Sequence, residues 1–139
     1  MNRHDANGAE MTQRKKIEEV ARAVVEGAVA VHRSLGPGLL ESAYQHCLQR
    51  ELESVGLSVQ CELPQSLQCR GELIDVGYRL DMLVEECVVV ENKAVEQLLP
   101  IHTAQLLTYL KLGDYKLGFL LNWNVRLMKN GIKRFVSGL

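Results

Sequence analysis

The sequence predicts a single mixed α/β domain, and three observations carry that expectation. Its 139 residues are the usual extent of one domain, with little room for a second independent core. Apolar residues make up 47% and charged residues 24%, the balance of a folded chain rather than a disordered one. The apolar spacing is helical up to Val55, alternates after Gly56 and becomes helical again at Pro100. Helix, helix, several strands, helix, strand, strand is the order of a mixed α/β fold.

Residues 1–12 are polar and read as a flexible N-terminal tail, with the domain occupying 13–139. From Gln13 to Arg33, Ile17, Val20, Ala21, Val24, Val25, Ala28 and Val31 fall on one helical stripe. Gly36-Pro37-Gly38 breaks it, because proline disfavours helix at the preceding residue and glycine permits tight turning. A second helix is expected over Leu39–Val55, with Leu40, Ala43, Tyr44, Cys47, Leu48, Glu51 and Leu52 along one side and Gly56 as its stop. Leu57–Leu63, Gln65–Cys69 and Glu72–Tyr78 read as short strands punctuated by Pro64, Gly71 and Gly77. Arg79–Val84 and Cys87–Ala94 form a stronger pair around the bend at Glu85-Glu86. Pro100 opens a third helix to Leu112, carrying Ile101, Ala104, Leu107 and Leu110. After Gly113-Asp114 come a buried strand, Lys116–Asn122, and a last one, Ile132–Val136, behind the turn at Asn130-Gly131.

Sixteen Lys and Arg against seventeen Asp and Glu, a net charge of −1, exclude a protein that holds nucleic acid by bulk positive charge. The polar N-terminus is not a secretory signal, and the longest apolar stretch, Ala23 to Val31, is broken by Glu26 and Gly27. A cytoplasmic chain without a membrane span is the expectation. Cys47, Cys61, Cys69 and Cys87 form no CxxC pair and no zinc-type cluster, so reduced, mostly buried thiols are expected.

The sharpest chemical feature is Asp81 followed ten residues later by Glu91-Asn92-Lys93. In a strand, Glu91 and Lys93 share a face, and charges behind Val88-Val89-Val90 must be paired, hydrated or bound to something. Asp81 joins them only if the bend leaves Glu85, Glu86 and Cys87 unpaired, so that Val84 faces Val88. A two-residue loop sends Asp81 to the other face. Glu85-Glu86 is poor chemistry for such a tight loop, which favours convergence. Two carboxylates suit Mg²⁺ or Mn²⁺, and Lys93 beside them suits orienting a water or holding charge on a phosphate. A solvated surface strand is the plain alternative. Glu41, with Tyr44 one turn on, is equally a helix-start favourite, and Gln105 and Tyr109, spaced i, i+4, are equally boundary residues. His32, His46 and His102 have no metal-ligand spacing, and Trp123 is expected to pack in the core or at its rim.

Gly38, Glu41 and Tyr44, within Leu35-Gly-Pro-Gly-Leu-Leu-Glu-Ser-Ala-Tyr44, resemble the signature of the GxxExxY protein family of the PD-(D/E)XK nuclease superfamily. Arg79–Val84, Val89–Ala94, Ala104–Leu110, Lys116–Asn122 and Ile132–Val136 resemble it in order, so the likeness covers residues 14 to 136. It implies a restriction-endonuclease-like core, a central mixed sheet flanked by helices, over 13–139. It implies that Asp81 and Glu91 bind metal, that Glu41 approaches it, that Lys93 is the superfamily's lysine, and that Gln105 and Tyr109 form the Q-x3-Y motif. Gly38 and Tyr44 support the site. Asn92 departs from the pattern by standing where E-x-K carries an apolar residue, and its side chain is expected to face away from Glu91 and Lys93.

The expected function is an Mg²⁺- or Mn²⁺-dependent nuclease acting on nucleic acid, DNA ahead of RNA. The rivals are a catalytically inactive nuclease-like binding or assembly module, as a homodimer, and a nuclease subunit that needs a partner protein.

Overall fold

The two apolar periods are realised as helices packed on both faces of a mixed sheet. The computed structural model describes residues 3–138, with side chains from Gly8 onward. Its elements are α1 (Arg3–Leu35), α2 (Glu41–Ser54), β1 (Val59–Cys69), β2 (Glu72–Val84), β3 (Val88–Lys93), α3 (Pro100–Gly113), β4 (Leu117–Asn122) and β5 (Ile132–Val136), with a short 3-10 turn at Met128–Asn130. The sheet order is β1-β2-β3-β4-β5. β3 and β4 run parallel and the other pairs antiparallel, with α3 supplying the crossover that a parallel pair requires.

Two cores sandwich the sheet. On one face, Val24 and Ala28 of α1 and Tyr44 and Leu48 of α2 pack on Met82, Val90, Phe119 and Trp123. On the other, Leu106 and Leu110 of α3 cover Leu80, Leu83, Val89 and Leu120. β3 and β4 are covered on both sides, which explains their unbroken apolar runs.

Four local expectations are corrected. α1 begins at Arg3 rather than Gln13, because no proline lies between these positions and the single Gly8 weakens a helix without ending it; residues 8–16 are exposed, so the apolar stripe begins at Ile17. Of the tail expected over 1–12, residues 1 and 2 lie outside the described residues. The four short strands before Val84 fuse into one long hairpin, β1–β2. Pro64 is tolerated inside β1 because β1 is an edge strand. Gly77 lies inside β2, where a Cβ would come within 2.5 Å of the Leu67 Cβ as the register shifts between Gln65 and Leu67.

On α3 the buried face is Leu106 and Leu110, whereas Ile101 and Leu107 are 65% and 42% exposed. A helix apolar on several sides gives an ambiguous stripe. The cysteines are all free, but Cys47, Cys61 and Cys87 are half-buried and Cys69 is exposed, less sheltered than expected. None of the described helices is long and apolar enough to cross a membrane.

Candidate active site

The bend between β2 and β3 decides whether the carboxylates meet. Glu85 and Glu86 both adopt left-handed backbone, at φ 50° and 56°, and the Cys87 N–H donates to the Val84 carbonyl at 3.0 Å. Glu85 offsets this strain by accepting the Ser58 N–H at 2.7 Å and its hydroxyl at 2.9 Å. Val84 pairs with Val88, Leu83 with Val89 and Met82 with Val90, the three-residue register that brings Asp81 opposite Glu91.

There the backbone ladder gives way to a crossed clasp. The Asp81 N–H donates to Glu91 Oε2 at 2.8 Å, and the Asn92 N–H donates to Asp81 Oδ2 at 2.8 Å. Each carboxylate thus takes the backbone proton of the opposing strand. The side-chain alternation resets at the same level: Met82 faces α1 and α2 while Leu80 faces α3, and on β1 Cys61 and Leu63 divide likewise. Glu62, between those two, has φ 52° and falls opposite Asp81 in the register of its neighbours. Such a kink re-aims side chains, here the acids, out of the regular pleat.

The cluster is only partly compensated, with Lys93 as the positive charge that acts on all three acids. Glu91 is buried, and that burial, reinforced by the charge of Asp81, pushes its carboxyl up to about 8, against the Asp81 N–H and the Lys93 charge. Burial also raises Asp81, with the Asn92 N–H opposing and Glu62 adding. Glu41 is raised by burial first, with Lys93 pulling the other way and Asp81 and Glu62 adding. Among the described residues, Asp81, Glu91, Glu41 and Lys93 make no ion pair within 4 Å, whereas Glu62 holds Arg79 at 3.1 Å. Lys93 follows Glu91 by two strand positions and therefore shares its face.

Glu41 reaches this neighbourhood through the loop before α2. Gly38 stands at φ +102° with open space around its missing Cβ, so backbone conformation rather than room demands glycine. The Tyr44 hydroxyl donates to the Gly36 carbonyl at 2.6 Å and accepts the Leu39 N–H at 3.1 Å, which ties the loop to the first turn of α2. Tyr44→Phe removes both bonds while keeping the ring. It is expected to lower stability by about 1–2 kcal/mol in urea denaturation with an unchanged m-value.

Behind the site, Asn92 faces away from Glu91, as expected, but into a polar network rather than an apolar contact. Its Oδ1 accepts the Trp123 Nε1–H at 2.9 Å, and its Nδ2 donates to Gln45 Oε1 at 3.1 Å and contacts Met82 Sδ at 3.3 Å. Trp123 is buried and stacked on Tyr44 at 4.9 Å. Asn122 pins the segment after β3 by accepting the Val95 N–H at 3.1 Å and donating to the Val95 carbonyl at 3.0 Å.

On the α3 side, Tyr109 stacks on Tyr78 at 4.8 Å, and its phenol is raised by burial and then by Glu91, with Gln105 acting the other way. Gln105 itself is exposed. His102 closes the start of α3, its Nδ1 accepting the Leu99 N–H at 3.0 Å, and His32 Nε2 bonds the Val125 carbonyl at 2.8 Å. Both are therefore structural. Glu62, Gln45, Asn122 and the Trp123–Asn92 bond escaped the sequence reading. For Asn92 and Asn122 the signal was a polar residue inside or at the end of an otherwise apolar strand, whereas Gln45 on α2 and Glu62 on β1 gave none.

Among the described residues, no three His, Cys, Asp or Glu side chains stand close enough to hold a metal ion together, so Glu41 does not close a set with Asp81 and Glu91. The donor chemistry nevertheless fits a hard divalent cation: two carboxylates on adjacent strands, partly desolvated and, among the described residues, without an ion pair within 4 Å.

A mixed five-stranded sheet between helices, with an acid pair and a lysine at the β2–β3 junction, is a restriction-endonuclease-like core. A family model described as the PD-(D/E)XK nuclease superfamily matches residues 18–135, and the chain belongs to that superfamily. No curated protein and no solved structure matches the chain.

Proposed function

We propose that the chain is a divalent-metal-dependent nuclease of the GxxExxY type that hydrolyses phosphodiester bonds, with DNA ahead of RNA as substrate. The observation that carries this reading is the crossed clasp of Asp81 and Glu91 with Lys93 on the same face. Asp81 and Glu91 would hold Mg²⁺ or Mn²⁺, with Glu41 as the approaching third acid. When bound, such an ion supplies Lewis-acid charge to a phosphodiester oxygen. The residues around it do the rest. Lys93 places an ammonium where negative charge develops and orients the attacking water. Glu91, pushed up to about 8 by burial and the neighbouring Asp81, would have to give up its proton to hold the ion, so cation binding is expected to weaken as pH falls below that value. Gln105 and Tyr109 limit the site from α3, and the Tyr44 clamp holds Glu41 at the head of α2.

A second reading, a nuclease-like binding or assembly module or a subunit awaiting a partner, has one observation in its favour. Asp81 and Glu91 already satisfy an oxygen each on backbone N–H groups, and no closed ligand set forms among the described residues. Mn²⁺ titration separates the two. At a hundredfold excess over Kd, Mn²⁺ is expected to stabilise the protein by about 2.7 kcal/mol, several degrees in Tm. Asp81→Ala is expected to abolish that shift together with cleavage. If neither stabilisation nor cleavage of single-stranded DNA, double-stranded DNA or RNA occurs, the module reading replaces the nuclease.

A further inference from the structure

A chain of net charge −1 that works on a polyanion needs local positive surface, and one cavity supplies it. The cavity, about 510 Å³, lies between the C-terminal end of α1 and the 126–129 segment. Arg33, Arg126 and Lys129 form its cationic rim, and Val29, Leu127 and Met128 give it apolar lining. Arg33 lies almost a hundred residues before Arg126 and Lys129, so the three cations meet only in the folded chain. No carboxylate lines the cavity, and none of the three cations is in an ion pair among the described residues. Other grooves differ in kind. The one along α1 mixes Glu18 and Glu26 with Arg22 and Arg134, and Arg134 is already spent on Glu18. The one under α3 has no charged lining, and the one beside Glu41 and Glu62 is acidic.

Both walls of the basic cavity connect to the carboxylate site. On one side, the Trp123 N–H donates to the Lys93 carbonyl at 2.9 Å, and Arg126 follows three residues later. His32, a lining residue, holds this segment through the Val125 carbonyl. On the other side, Gly36 lines the cavity and accepts the Tyr44 hydroxyl, at the start of the loop that delivers Glu41.

We propose that this cavity is a strand-binding site that grips a nucleic-acid chain by its phosphates beside the carboxylates. Arg33, Arg126 and Lys129 contact phosphate oxygens, and the apolar lining takes the sugar or base face of the same strand. The nuclease reading supplies the identity of the strand as nucleic acid. Charge complementarity and the two structural connections supply its place.

The test is fluorescence anisotropy with a labelled single-stranded DNA of about 20 nucleotides in EDTA, where binding is read without cleavage. The variant carries Arg33→Ala, Arg126→Ala and Lys129→Ala, and the control carries Arg14→Ala, Lys15→Ala and Lys16→Ala on the exposed start of α1. At about 50 mM NaCl the rim variant is expected to bind at least ~10-fold more weakly, and its salt slope to fall by about 2, as loss of three phosphate contacts implies. The control is expected to stay within about twofold of the parent. Circular dichroism checks folding, and the single exchange Arg126→Glu must weaken binding in the same direction.

Parent-like binding by the rim variant, or no binding by the parent, overturns the site. So does equal, rim-dependent affinity for polyglutamate, which would mark an acidic-peptide site. Cleavage by the parent with rim-independent binding rejects the site and leaves the nuclease. Rim-dependent DNA binding without cleavage by the parent, with Mn²⁺ added, rejects the nuclease and leaves the site.

Discussion

Lys93→Ala is expected to reduce Mn²⁺-supported phosphodiester cleavage by about 10²–10³-fold or more, the usual loss when a preorganised charge-stabilising group is removed. The fold has little reason to respond. Lys93 is half-buried at the end of β3, and its structural contributions are backbone ones: pairing with Asn122 and a carbonyl that accepts the Trp123 N–H. Alanine keeps both. What disappears is the positive charge that opposes the rise of Glu91, Asp81 and Glu41. The acids then hold protons more tightly, and the attacking water loses its orienting group. Single-turnover cleavage with a parallel thermal melt checks this. Full activity in both Lys93→Ala and Glu91→Ala would sink the mechanism.

Trp123→Ala is the largest stability change expected, about 3–5 kcal/mol, because it empties a buried volume between the sheet and the first two helices. The ring stacks on Tyr44 with an interplanar angle of 5° and bonds Asn92, so its loss reaches the Glu41 loop and β3 together. Asn92→Leu, which restores the apolar residue of the superfamily pattern, is expected to cost about 1–3 kcal/mol because the Trp123 indole Nε1–H is left buried without its acceptor. Adding Trp123→Phe removes that orphan donor. The double variant should be more stable than the sum of the single losses by roughly 1 kcal/mol or more. Additivity within about 0.5 kcal/mol, measured by denaturant unfolding, would show that the Asn92–Trp123 bond does not explain the departure.

Particular elements show why parts of this molecule were legible and others were not. The stripe from Ile17 to Val31, the break at Gly36-Pro37-Gly38 and the apolar runs of β3 and β4 were readable because each depends on neighbours in sequence. Pro64 and Gly77 misled, since both are strand breakers except at an edge or beneath a close approach, and those exceptions depend on what lies alongside. On α3, apolar residues on several sides hid the Leu106–Leu110 face, which only the opposing Val89 and Leu120 select.

By itself, the sequence determined the order of helices and strands, the shared face of Glu91 and Lys93, and the glycine-dependent turn ahead of Glu41. These follow from local steric rules and from the two- and 3.6-residue repeats. Tertiary structure alone decided the rest. The left-handed bend at Glu85-Glu86, anchored by Ser58, selected the register that crosses Asp81 with Glu91. Packing against Trp123 gave Asn92 its partner, and closure of α1 against the 126–129 segment gathered Arg33, Arg126 and Lys129. Contacts between distant segments have no local energetic signature, so a net charge of −1 conceals both an acid cluster that Lys93 only partly compensates and a separate cationic cavity.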